Sequence, residues 1–115
     1  LGYTVYTGGP RRAYGIEYSP SFQADSSEVW LYVGETGKPV EYRVEQHRNG
    51  DKTASSGWRY LSHRRPDLEP AAGYRSGEDS RQAEREWGLC LSGAQYRLRG
   101  PQGFNPKTGL PVDQL

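Results

Sequence analysis

Cysteine is almost missing. Cys90 stands alone in 115 residues, so the chain can close no internal disulfide and build no thiolate metal cage, which excludes zinc-finger and disulfide-stapled scaffolds. Hydrophobic residues are scarce too, at 33% against the ~45–50% usual for globular domains, so the interior must be small. No apolar run approaches the ~18 residues that a membrane span requires, and the opening residues read as a strand instead of a secretory leader. Net charge is only +1, and bulk charge therefore does not announce a nucleic-acid binder.

What is present is more informative. The length is that of one ordinary domain. Fifteen glycines and eight prolines point to many turns and short elements, while three Trp and nine Tyr argue against disorder. Twelve of the fifteen cations are arginine, the side chain suited to bidentate phosphate contacts. From His47 to Arg75 six cations (Arg48, Lys52, Arg59, Arg64, Arg65, Arg75) face three anions (Asp51, Asp67, Glu69), so a local basic surface is expected and a uniform one is not.

The order of elements predicts an α+β domain with a small, mostly antiparallel central sheet flanked by helices. Residues 3–7 and 13–19, rich in aromatic and β-branched side chains, read as two strands joined by a hairpin at Gly8-Gly9-Pro10. Val29-Trp30-Leu31-Tyr32-Val33, apolar on both faces, reads as a central strand. Pro39 suits the first turn of a helix, in which Val40, Val44 and His47 repeat at helical spacing, Glu41 and Glu45 come early and basic residues come late. Asn49-Gly50 stops it. A short strand is expected at residues 58–61. Ser76-Gly77-Glu78-Asp79 resembles a capping box, opening a helix to about Leu91 whose buried stripe reads as Ala83, Trp87, Cys90 and Leu91; Gly93 ends it. Residues 95–99 form a last strand, and 100–115 an irregular tail. The whole reads as one domain with its core at about 13–99.

The chemistry-bearing residues gather around the central strand. Tyr32-Val33-Gly34 ends it, Arg43 and His47 share one helix face four residues apart, and Glu86 precedes Trp87 on the second helix. Phosphodiester hydrolysis at neutral pH needs a base for water, a cation for charge growing on the phosphoryl oxygens, and a carboxylate for a divalent metal. Tyr, Arg, His and Glu from three elements can supply that set. Glu84 competes with Glu86 for the carboxylate's place.

On these residues the chain resembles the GIY-YIG nuclease family. Residues 31–50, LYVGETGKPVEYRVEQHRNG, look like that family's second motif with its helix: a Tyr-Ile/Val-Gly triplet, an arginine about nine residues on, and a histidine four after it. Gly57-Trp58-Arg59 and Glu86-Trp87 are similar to features of its structure-specific endonuclease branch. The likeness spans about residues 15–91. It departs at the first motif, where Gly15-Ile16 is followed by Glu17 instead of Tyr. A one-residue shift or bulge would bring Tyr18 into that place, and Tyr14 is the other candidate.

The resemblance implies a metal-dependent endonuclease acting on nucleic acid, DNA before RNA. Arg43 would clamp the scissile phosphate and lower a tyrosine's pKa. Glu86 would hold Mg²⁺ or Mn²⁺. Tyr18 and Tyr32 would share water activation, and His47 would polarise a tyrosine or take its proton. Beside such a site Lys52, Arg59, Arg64 and Arg65 become candidates for nucleic-acid contact. A catalytically degenerate module that binds nucleic acid or a protein without cutting is the alternative. An ADP-ribosyltransferase built on Glu84-Arg85-Glu86 lacks a matching arginine-and-serine set upstream. The start without methionine and the ending GFNPKTGLP lead to the expectation of a piece of a longer secreted bacterial protein. Its tail resembles those of toxin modules, which implies action in a cytoplasm and an immunity protein as partner.

Overall fold

The computed structural model describes residues 6–23, 27–50, 57–100 and 103–112. They form a four-stranded mixed sheet in the order β3-β1-β2-β4, with a helix on each face. The elements are β1 (Thr7–Tyr18), β2 (Trp30–Thr36), α1 (Val40–Arg48), β3 (Leu61–Arg64), α2 (Gly77–Gly93) and β4 (Arg97–Arg99). β1 lies between β2 and β3, antiparallel to both, and β4 runs parallel to β2. This is the α+β class with a mostly antiparallel sheet. Among the described residues no helix is long and apolar enough to cross a membrane.

Alternation along the strands assigns the two faces. Tyr14, Ile16 and Tyr18 of β1 join Trp30 of β2 and Val40 and Val44 of α1 in one buried cluster. Leu31 and Val33 of β2 point the other way, onto Leu91 of α2 and Leu98 of β4, with Trp87 packed against them. Gly15 keeps to that second face, where a Cβ would meet the Trp87 ring at 3.2 Å. α1 therefore covers one side and α2 the other.

The helix ends follow from local chemistry. Ser76 caps α2, its hydroxyl accepting the Asp79 N–H at 3.0 Å, with Glu78 and Asp79 in the first turn where the helix dipole favours anions. α1 begins after Pro39 and ends at Asn49, with His47 and Arg48 in its last turn. Gly50 then takes φ +76°, a backbone state that glycine adopts cheaply.

Three expectations need correction. The hairpin at Gly8-Gly9-Pro10 does not form, because β1 runs straight through it. The segment around Tyr74 bridges to Thr7 and Arg11, approaching so closely that a Cβ on Gly9 would collide with the Tyr74 carbonyl. Glycine there permits contact between two backbones and makes no turn. Residues 3–5 of the expected first strand lie outside the described residues. Trp58–Tyr60 is a 3-10 turn, and the strand follows it as β3. Cys90 is exposed: the stripe α2 buries is Asp79, Ser80, Ala83, Glu84, Gly88 and Leu91, the i, i+3, i+4 pattern of a single face.

The tail, although irregular, is packed. Phe104 lies against the Leu31–Leu98 cluster, and the Gly109 carbonyl accepts the Leu98 N–H at 3.0 Å.

Candidate active site

β4 pairs with β2 only through Trp30, Leu31 and Tyr32. Past that point the chain turns away at Gly100, which has φ +105° and lies against the Val33 carbonyl. Residues 33–36 of β2 thus have no strand partner on that side among the described residues. Side chains from both faces of the sheet meet at this open edge around a cleft of about 200 Å³. Tyr14, Tyr32 and Arg43 come from the α1 side. Glu84, Arg81 and Arg85 come from α2, and Glu35 from β2 itself.

Gly34 makes the arrangement possible. It pairs with Tyr14 across the β1–β2 ladder, and a Cβ there would lie 2.6 Å from the Tyr14 hydroxyl. With no side chain in the way, the phenol lies over the strand and reaches α1. There the Tyr14 hydroxyl and His47 Nε2 are 2.7 Å apart. The His47 ring is also 4.7 Å from the Tyr32 ring. His47 is 0% exposed, and its Nδ1 has no hydrogen-bond partner among the described residues. Burial first, and Arg43 second, lower its pKa to about 4, so the imidazole is neutral at neutral pH.

Both phenols are pushed up. Burial is the main cause for each. Tyr32 adds to it at Tyr14 and Tyr18 adds to it at Tyr32, while Arg43 pulls both back. Tyr32 reaches about 12 and Tyr14 goes higher. Arg43 therefore acts in the expected direction but does not outweigh desolvation, and both phenols are protonated in this state. Arg43 also donates to Gln46 Oε1 at 2.8 Å.

Glu84 is the unusual group. It is 8% exposed, inside the buried stripe of α2. Burial, then the neighbouring Glu35, raise its pKa to about 8, against the pull of Arg81. Glu35 itself is held in place: Arg11 Nη2 donates to it at 2.7 Å, and the Ser80 hydroxyl donates to the same oxygen.

The sequence candidates divide on this geometry. Tyr32 and Arg43 line the cleft, and His47 reaches it through Tyr14. Tyr18 does not line it. Its ring stacks on Phe22 at 4.1 Å in the core, 3% exposed. The ladder is irregular there, but Ser62 of β3 is the skipped residue, so Tyr18 keeps the face that alternation gives it, and Tyr14 is the β1 tyrosine that lines the cleft. Glu86 does not line the cleft either. It is exposed and accepts from Gln82 Nε2 at 3.1 Å. Two residues on a helix are about 200° apart, so α2 can turn only one of Glu84 and Glu86 inward.

The expected basic cluster lies elsewhere. Arg64 is tied to Glu69 and Glu41, and Arg65 to Glu17 and Asp67. Arg59 is exposed, with its guanidinium 4.9 Å from the centre of the Trp58 ring. Lys52 lies outside the described residues. The cations at the cleft are Arg43, Arg81 and Arg85. The last two were open to sequence reasoning through their spacing four apart on the helix that carries Glu84.

No protein-family model, no curated protein and no solved structure matches this chain.

Proposed function

We propose that the domain is a metal-dependent endonuclease that hydrolyses nucleic-acid phosphodiester bonds, DNA in preference to RNA. The observation that carries this reading is the meeting of two phenols, a guanidinium and a buried carboxylate in one solvent-open cleft. Arg43 binds the non-bridging oxygens of the scissile phosphate and neutralises the charge that grows on them. Tyr32 and Tyr14 orient the attacking water. His47 Nε2, neutral and hydrogen-bonded to Tyr14, takes the Tyr14 proton as that phenol takes one from water. A new P–O bond forms from the water oxygen as the P–O3′ bond opposite breaks.

The donor set fits Mg²⁺ or Mn²⁺. Among the described residues no group of three or more His, Cys, Asp or Glu converges as a metal cage, but Mg²⁺ commonly takes one or two carboxylates and completes its shell with water and substrate phosphate. Glu84 would hold the ion, with Glu35 beside it. A carboxylate kept out of water and facing a second one is a group that a divalent cation relieves. The ion would supply charge neutralisation at the leaving oxygen.

A supercoiled-plasmid nicking assay with Mg²⁺, Mn²⁺ or EDTA tests this. The parent should nick with either metal and stop in EDTA. Arg43→Ala and Glu84→Gln should each lose at least about a hundredfold, while Glu86→Gln nicks as the parent does. No metal-dependent nicking, or full activity in Arg43→Ala, would overturn it. The binding-only alternative draws on both phenols being held protonated, and it expects DNA binding with no cleavage. The same cleft, rimmed by arginines, would suit an acidic inhibitor protein if the domain is a toxin module.

A further inference from the structure

Two pairs of arginines stand in contrast. Arg64 and Arg65 are spent on internal carboxylates. Arg81 and Arg85 sit on successive turns of α2, exposed, on the rim of the cleft that holds Tyr32, Arg43 and Glu84. Neither makes a hydrogen bond or ion pair with a described residue. Of the carboxylates they face, Glu35 is already matched by Arg11, and Glu84 lies buried behind the rim. Two guanidiniums one helical turn apart, with no hydrogen-bonded carboxylate among the described residues and beside a third in the cleft, form a row suited to successive phosphates.

The row continues past the cleft. Adjoining it, and sharing Arg43 and Glu35, lies an open depression of about 540 Å³ walled by Arg11, Thr36, Gly37, Lys38 and Gln46. It has no aromatic side chain on which a base could stack and no apolar one.

We propose that the substrate strand lies across the sheet edge, gripped by Arg81 and Arg85 of α2 together with Arg43 and running on into the adjoining Lys38–Gln46 depression, so that the protein reads phosphates and not bases. This rests on the hydrolase reading for the cleft's role, but its test does not. Contacts of this kind carry no sequence information and are strongly salt-dependent.

The test is fluorescence anisotropy with short fluorescein-labelled DNA, single- and double-stranded, of two unrelated sequences, in EDTA so that nothing is cut. Arg81→Gln/Arg85→Gln should weaken binding roughly ten- to hundredfold and lower the slope of log affinity against log salt by about 2, equally for both sequences. Arg48→Gln/Lys107→Gln, which removes the same charge from exposed sites outside the cleft, should bind as the parent does. Unfolding midpoints confirm that both variants are folded.

Parental affinity and slope in the α2 variant would overturn the proposal. So would equal loss in the control, a large difference between the two sequences, or competition by polyglutamate as effective as by unlabelled DNA, which would mark a dock for acidic protein. A parent that binds through Arg81 and Arg85 but never nicks sinks the hydrolase reading and leaves this one standing. Nicking at parental KM by the α2 variant does the reverse.

Discussion

The Tyr14 hydroxyl occupies the space that a side chain on Gly34 would fill, 2.6 Å from where its Cβ would be. Two residues paired across a ladder thus share one volume, and the phenol's reach to His47 depends on the glycine. Gly34→Ala should displace the Tyr14 ring, cost about 1–3 kcal/mol by overpacking, and reduce nicking at least as far as Tyr14→Phe does. Thermal unfolding and the plasmid assay measure both. An alanine variant with parental activity would refute the dependence.

His47 should make the fold sensitive to acid. Its pKa is about 4 when folded and ~6.5 when unfolded, so the unfolded chain takes up the proton first. The stability present above pH ~6.5 is lost as pH falls toward about 4. Urea midpoints across this range should drop for the parent and flatten in part for His47→Gln. Equal slopes would show that His47 does not titrate this way.

Glu84 works in the opposite sense. Its folded pKa of about 8 lies above its unfolded value, so stability is fully present below pH ~4.5 and is lost as pH rises through about 8. Glu84→Gln keeps the shape and removes the charge. It should raise stability near pH 8 by at least about 1 kcal/mol and have little effect near pH 4. A destabilised Gln variant at pH 8 would show the carboxylate to be well paired instead of stranded.

Phe104 ties the irregular tail to the sheet. Being half-buried against the Leu31–Leu98 cluster, it should cost about 2 kcal/mol when replaced by alanine, less than the ~3–5 of a fully buried ring. Truncation before Gly103 should cost more, because it also removes the Gly109 carbonyl from Leu98. Chemical denaturation checks both, and an unchanged midpoint would mean that the tail contributes nothing.

How much of this was legible in the sequence varies by residue. Tyr32 lies on β2, and Arg43 and His47 lie on α1, which follows one turn later, so local periodicity alone brings them together. Tyr14 and Tyr18 share a face of β1, and alternation cannot choose between them. The choice depends on where β4 stops, which is a tertiary fact. Glu84 was hidden because a stripe of serine, alanine, glutamate and glycine does not look apolar, whereas Ala83, Trp87 and Cys90 do. The helices were signalled by Ser76, Pro39 and Asn49-Gly50, whose caps are local. The strand through Gly8-Gly9-Pro10 was not, because its partner is more than sixty residues away.

The early end of β4 has a further consequence. An unpaired run of backbone donors and acceptors invites a strand from another molecule, and proteins commonly guard such borders with charge. Here Glu35, Arg81 and Arg85 stand along that border, where their charge would work against self-association. Neutralising Glu35 together with both arginines should therefore produce oligomers or aggregates even where the isolated domain remains well folded.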